Sequence, residues 1–303
     1  MRVLVVGCGY VGLPLGGELA RRGHEVFGIR RTEVGANELV AGGVRPILAD
    51  ITKAGDLEGI SGDFDWVVNT VASGRGGMDD YRAVYLEGTR ALMRWLAGRG
   101  VAKYVYTSST SVYGQTDGSW VSEESPTEPE SATSRVLVET EQLLLRGAQE
   151  SGFPAVVLRV GGIYGPGRGH FFQQYLRGEA RLTDGGSRFM NMVHRDDVVV
   201  AIIAALERGR VGEVYNAVDD EPVTHRDFFS WLSAGLGGPM PPDAEEGADI
   251  ARKRGLTDKR VSNRKLRHKL ECEFHHPTFR QGYGAEVVRL RAEGKLVSGA
   301  YAR

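Results

Sequence analysis

The chain has 303 residues, a quarter of them charged, and a formal net charge of −1. That length buries a sizeable core without staples, and that charge balance gives no global field for nucleic acid, an anionic membrane or a polyanion, so phosphate binding must be local. Its two cysteines, Cys8 and Cys272, provide neither a disulfide framework nor a Cys/His metal cluster, which points to a reducing, cytoplasmic setting.

In chain order, short β-branched runs alternate with amphipathic stretches, the pattern of an α/β, Rossmann-type doubly wound parallel sheet covered by helices on both faces. The run Val3–Val6 is too short for a signal peptide and reads as the first strand. Further strands are expected at Glu25–Ile29, Arg45–Leu48, Trp66–Thr70, Lys103–Thr107 and Ala155–Val160. Helices are expected over Leu13–Arg22, stopped by Gly23, over Tyr81–Gly98 and over about Arg135–Glu150. No segment approaches the roughly 18 apolar residues that span a bilayer.

After about Gly165 the alternation loosens, and Gly235–Gly247 (GLGGPMPPDAEEG) reads as an irregular connection. Residues 1–165, with 191–217 returning to them, are expected to form the nucleotide-binding domain; 166–190 and 218–303 would form a smaller C-terminal substrate lobe. The basic run Lys259–Lys269 carries Val261 and Leu266 and reads as a packed helix with a solvated face rather than a nucleic-acid patch.

Gly7, Gly9 and Gly12 form GCGYVG directly after a strand and at the opening of a helix, the context that makes this pattern specific for a dinucleotide. Gly7 permits the tight turn, Gly9 lets backbone approach a pyrophosphate, and Gly12 lets helix pack on strand. The helix N-terminus supplies N–H groups and partial positive charge. The second strand ends in Arg30-Arg31, with no carboxylate before Glu33. Two arginines there can fork around a 2′-phosphate, so NADP is expected rather than NAD, unless they are ordinary surface charges. Asp50-Ile51 ends the third strand; Asp50 either contacts the adenine amino group, with Ile51 against the ring, or caps the segment that follows.

Five ordered motifs, TSSTSVYG (Thr107–Gly114), LRVGGIYGPG (Leu158–Gly167), NMVHRDD (Asn191–Asp197), GEVYNA (Gly212–Ala217) and SNRKL (Ser262–Leu266), resemble the extended short-chain dehydrogenase/reductases, the nucleotide-sugar epimerase and dehydratase superfamily. GCGYVG and GIRR look most like its atypical YeeZ-like branch. The resemblance implies a seven-stranded Rossmann sheet with a C-terminal substrate lobe. It also implies that Tyr10, Val11, Val71, Ala72, Thr107, Val160 and Ile163 line the cofactor site.

Members of that superfamily work with an Asn-Ser-Tyr-Lys tetrad. The resemblance retains the serine as Ser109, places Thr133 at the tyrosine and Leu137 at the lysine, and Tyr85 at the asparagine. An ionisable phenol beside an ammonium can be a general acid or base near neutrality; a threonine cannot. The resemblance leaves Ser109, Tyr85 and, as occupant of the tyrosine's place, Thr133 as the catalytic candidates, Tyr85 also being readable as packing. Ser109, Tyr113, Arg168, His170 and Arg188 are the substrate candidates, although Tyr113 and Tyr164 fit a core or pocket wall better than chemistry. His194 reads as a structural tie, and His275-His276 lack a third ligand in sequence, so no metal is expected.

The leading reading is an NADP-dependent oxidoreductase acting on a small polar or sugar-like carbonyl or alcohol. The alternatives are a nucleotide-sugar epimerase, which the empty tetrad disfavours, and a non-catalytic NADP-binding or sensing protein, which it favours. The expected partner is a small-molecule substrate, not nucleic acid or membrane, and a homodimer is left open.

Overall fold

The computed structural model describes residues 1–33, 35–53, 55–74, 76–245 and 257–296. Strand β1 (Arg2–Val6) sends Val3 and Val5 to one face of a sheet and Leu4 and Val6 to the other, all four fully buried, because side chains alternate along a strand. A tight turn leads into α1 (Gly12–Arg21), β2 (Glu25–Arg30), α2 (Ala36–Ala41), β3 (Val44–Leu48) and β4 (Trp66–Asn69). Next come α3 (Met78–Tyr81), a π-helical segment over Arg82–Glu87, α4 (Gly88–Leu96) and β5 (Lys103–Ser109). After β6 (Trp120–Val121), α5 (Ala132–Ser151) crosses to β7 (Ala155–Val160). Then β8 (Gly162–Tyr164), α6 (His170–Leu176), β9 (Phe189–Met190) and β10 (Met192–His194) precede α7 (Arg195–Arg208) and β11 (Val214–Ala217). The chain continues through β12 (Val223–Thr224), α8 (His225–Leu236), β13 (Arg260–Val261), α9 (Arg264–Lys269) and α10 (Phe279–Ala292).

Seven strands form one parallel sheet in the order β11-β7-β5-β4-β1-β2-β3. The order reverses between β1 and β4, and a crevice opens beyond the carboxyl ends of the strands at such a switch point. Leu15 and Leu19 of α1 and Ile202 of α7 pack on one face with Val68, Val105 and Val156. Leu92 and Leu96 of α4 and Val136 and Leu144 of α5 pack on the other with Val67, Tyr104 and Ala155. A third cluster, built from Tyr164, Phe172, Phe228, Phe279 and Tyr283 among others, joins α6, α8 and α10.

All six expected strands are present to within two residues at each end, and the seventh lies in GEVYNA. The single helix expected over Tyr81–Gly98 is instead α3, the π segment and α4, with Gly88 packed so closely that a Cβ there would stand 2.7 Å from Ile51 Cδ1. The helix expected over Lys259–Lys269 also divides. Its first residues pair as β13 with β6, and Lys259 is buried with Nζ donating to the Tyr113 carbonyl at 3.0 Å; burial pulls that ammonium down to about 8. Of the irregular connection at Gly235–Gly247, the last two residues lie outside the described ones. Among the described residues no helix is long and apolar enough to cross a membrane.

Two buried polar systems fasten the layers. In the first, Glu141 of α5 meets Arg159 of β7 through three bonds of 2.8–3.2 Å and accepts the Ser108 hydroxyl at 2.5 Å. Arg159 donates to Tyr113 Oη, which donates to Asn216 Oδ1 of β11, each at 2.8 Å. In the second, the His194 ring caps α7 by accepting the Asp196 N–H at 3.2 Å. Asp197 accepts the N–H groups of His275 and His276 at 2.6 and 3.0 Å, holding the segment before α10 against α7.

Both systems predict measurable effects. Glu141→Ala leaves Arg159 charged, buried and unpaired and should lower the unfolding free energy by about 3–5 kcal/mol in urea titrations, whereas the double replacement Glu141→Leu/Arg159→Met should cost distinctly less. Burial and the neighbouring His276 hold the His194 imidazole below its ordinary range. Its contribution is therefore fully present above about pH 6.5, the unfolded value, and is lost as pH falls below it, because the unfolded chain takes up the proton first. His194→Asn, which keeps a capping acceptor, should show a shallower loss of stability between pH 7.5 and 5.

Candidate active site

A cleft of about 1390 Å³ opens where the sheet order reverses. It exceeds the roughly 300–1,000 Å³ of an ordinary small-molecule pocket, and so has room for a dinucleotide beside a small substrate.

Its floor is the turn after β1. Gly7 has φ of 84°, and a Cβ there would stand 2.7 Å from the Val71 amide nitrogen; one at Gly12 would stand 2.7 Å from the Gly7 carbonyl. Both must be glycine for β1, β4 and α1 to meet through backbone. Gly12 therefore lies in the packing and not in the cleft lining. Gly9 differs, since a Cβ there would meet only the Gly7 carbonyl, at 3.9 Å, and the residue lines open space. No side chain caps α1 and no carboxylate lies in its first turn, so its leading amides and positive end suit a pyrophosphate. Tyr10 and Val11 continue the wall. The neighbouring Cys8 thiol, pushed up to about 12 by burial against the opposing effect of Arg30, stays neutral and unreactive.

At the ends of β2 and β3, Arg30, Arg31, Asp50 and Ile51 all line the cleft. The two arginines play unlike parts. Arg30 Nε donates to the Cys8 carbonyl at 2.8 Å and its guanidinium stands 3.7 Å from Glu38, whereas exposed Arg31 makes no ion pair among the described residues. Asp50 Oδ1 accepts the Thr52 N–H and hydroxyl at 3.0 and 2.7 Å, the capping alternative. Burial raises its pKa, but the Thr52 bonds together with the charges of Arg31 and Lys53 outweigh burial and hold it below the usual carboxylate range. Lys53, which motif reading passes over, adds a cation here.

In the middle, Val71, Ala72, Thr107, Val160 and Ile163 line the cleft together with Ser109 and Tyr85. Ser109 Oγ accepts the Ser111 N–H and Tyr85 Oη accepts the Ser73 N–H, both at 3.2 Å. Leu137 presents an apolar wall where the resemblance expects a lysine. Thr133 does not share this site: it lies in the first turn of α5 with its hydroxyl 2.8 Å from that of Ser131, outside the lining, which corrects its candidacy. Ser108 was missed; it lines the cleft while anchored to Glu141, a partner 33 residues away that no local motif reveals.

The loop after β8 and the start of α6 add Arg168, His170, Gln173 and Arg177 to the lining. Two substrate candidates are corrected. Tyr113 is fully buried between Arg159 and Asn216, and Arg188 pairs with Asp184; neither lines the cleft. Tyr164 belongs to the core, stacked on Tyr283 with ring centroids 4.2 Å apart. The fold also supplies what His275-His276 lack in sequence, since His194, Asp197 and His276 each bring a ligand atom within 4.8 Å of the others. The cap of α7 already engages His194, and the hydrogen bonds that join α7 to the segment before α10 engage Asp197.

Comparison with known proteins agrees with this geometry. The family model described as the NAD dependent epimerase/dehydratase family matches residues 3–217. Protein YeeZ of Escherichia coli (strain K12) is 29% identical over 91% of this chain and 96% of its own. A 3-diazoavenalumate denitrifying reductase from a Streptomyces species is 29% identical over 94% of this chain and 100% of its own. The solved UDP-glucuronic acid 4-epimerase of Bacillus cereus in complex with NAD superposes with a TM-score of 0.80 over 97% of this chain and 99% of that one, at 22% identity, a likeness of fold. With its glycine turn, seven-stranded parallel sheet and ordered motifs, the chain belongs to the NAD dependent epimerase/dehydratase family.

Proposed function

We propose that the protein is an NADP-dependent oxidoreductase that acts on a small polar or sugar-like carbonyl or alcohol. The observation that carries this reading is one continuous cleft whose lining brings together the glycine turn, Arg31, Ser109, Tyr85 and His170. A nicotinamide supplies the hydride chemistry when bound. The chain's own part is to orient substrate and cofactor and to handle one proton. Because the Ser111 amide donates to Ser109 Oγ, the serine hydroxyl is polarised toward donation to a substrate oxygen. Tyr85 adds a phenol to the same cleft.

The reading favours single-direction reduction or oxidation over epimerisation. An epimerase oxidises and re-reduces one substrate and so needs a reversible proton acceptor, whereas here Leu137 and the displaced Thr133 leave the usual tyrosine and lysine positions without one. The relative that is a reductase supports the same direction. Cofactor turnover over a panel of carbonyls, alcohols and nucleotide sugars tests it; sugar inversion without net cofactor consumption would overturn it in favour of an epimerase, and no turnover with intact binding in favour of a sensing protein.

Fluorescence titration should show NADPH bound at least about tenfold more tightly than NADH, since a charge-assisted bond contributes roughly 1.5–3 kcal/mol. Arg31→Ala should erase most of that preference, and more of it than Arg30→Ala. Gly9→Val should abolish binding in a folded protein, because its branch would fill the open face of the turn. Equal affinities in wild type would refute the NADP assignment.

In steady-state assays Ser109→Ala should lower turnover by roughly 10²–10³, the effect of losing a donor to developing charge. Tyr85→Phe should also slow turnover, while Thr133→Val should be mild. A loss of several hundredfold in Thr133→Val with normal cofactor affinity would contradict the placement of that residue outside the cleft.

A further inference from the structure

The loop between β8 and α6 is fastened onto the phosphate turn. Gly165 and Arg168 exchange backbone hydrogen bonds of 3.1 and 2.9 Å, closing a tight bend. Gly165 has φ of 142°, and a Cβ there would stand 3.1 Å from Tyr10 Oη, so only glycine lets the loop lie this close. Tyr10 Oη donates to the Pro166 carbonyl at 3.2 Å. The Arg168 guanidinium carbon lies 4.9 Å from the Tyr10 ring centroid, with that of Arg195 at 5.4 Å. Burial raises the Tyr10 phenol while both arginines oppose the rise, as nearby cations must.

Charge bookkeeping sets Arg168 apart. Arg177 pairs with Glu179, Arg188 with Asp184 and Arg195 with Asp196, whereas Arg168 lines the cleft and forms no ion pair among the described residues. The nearby Glu286 accepts the Gly167 N–H at 3.4 Å and is paired with Arg289. Arg168 is thus a cation without a counterion, lying against the ring of the residue between Gly9 and Val11. A planar guanidinium held on an aromatic face keeps its N–H edge available for two oxygens at once.

Resting on the cofactor reading above, we propose that Arg168 binds the pyrophosphate of the dinucleotide, so that the loop leading into α6 helps close the cofactor site. Arg168 then belongs to the cofactor and not, as motif position suggests, to the substrate. A carboxylate or phosphate on the substrate is the rival anion, and the test separates the two.

Calorimetric titrations of the full chain with NADP+, NAD+ and adenosine 2′-monophosphate, which carries no pyrophosphate, provide that test. Arg168→Ala should weaken NADP+ and NAD+ by the same factor of about ten or more, a tenfold change being about 1.4 kcal/mol. It should leave adenosine 2′-monophosphate unchanged, and Arg168→Lys should recover part of the loss. Arg31→Ala should instead change the NADP+ to NAD+ ratio and weaken adenosine 2′-monophosphate. Wild-type NADP+ affinity in Arg168→Ala overturns the proposal and, if the Michaelis constant for a carbonyl substrate rises, assigns the arginine to substrate. Equal weakening of adenosine 2′-monophosphate overturns it too, by showing a diffuse effect. Failure of the wild-type protein to bind either dinucleotide, or normal binding by Gly9→Val, refutes the cofactor reading itself.

Discussion

The close approach of three backbone segments at the end of β1 is the constraint on which the rest of the cleft depends. A Cβ at Gly7 would overlap the Val71 backbone and one at Gly12 would overlap the Gly7 carbonyl. Because these two positions carry no side chain, β4 emerges beside the turn and α1 begins directly after the turn residues that line the floor. Everything placed along the cleft, from Arg31 to His170, is measured from that floor. Gly9 shows the other use of glycine, a backbone left bare toward the open cleft and not toward the protein.

The middle of the cleft is chemically sparse. Leu137 leaves the wall apolar at the lysine position, and the phenols of Tyr113 and Tyr164 are spent on core contacts. Burial pushes both phenols up, Tyr113 to about 12, which keeps them protonated and structural. What remains is hydroxyl chemistry from Ser109 and Tyr85. On the function proposed above, such a site places a substrate against a bound reductant or oxidant more than it shuttles a proton back and forth.

Two buried polar systems fasten elements around the cleft. Glu141 and Arg159 tie α5 to β7 and, through Ser108, reach the strand end that carries Ser109. His194 caps α7, and Asp197 ties that helix to the segment before α10. The Glu141–Arg159 pair and the bonds of Asp197 each join elements distant in sequence.

Much of this was legible from sequence. Alternating apolar residues and glycine placement determined the parallel sheet and the glycine turn, and the strand ends placed Arg30, Arg31 and Asp50, because each depends on residues within a few positions of one another; Ser109 and Tyr85 came from the family resemblance, and all five line the cleft. Tertiary structure decided what depends on partners far apart. It withdrew Thr133, Tyr113 and Arg188 from the cleft, and distinguished Arg30, bonded to the Cys8 carbonyl, from Arg31. It added Ser108 and Lys53 to the lining, and gathered His194, Asp197 and His276 from two segments. A motif specifies where the backbone goes; where a long polar side chain ends up is set by the partner that compensates its burial, and that partner is known only once the chain has folded.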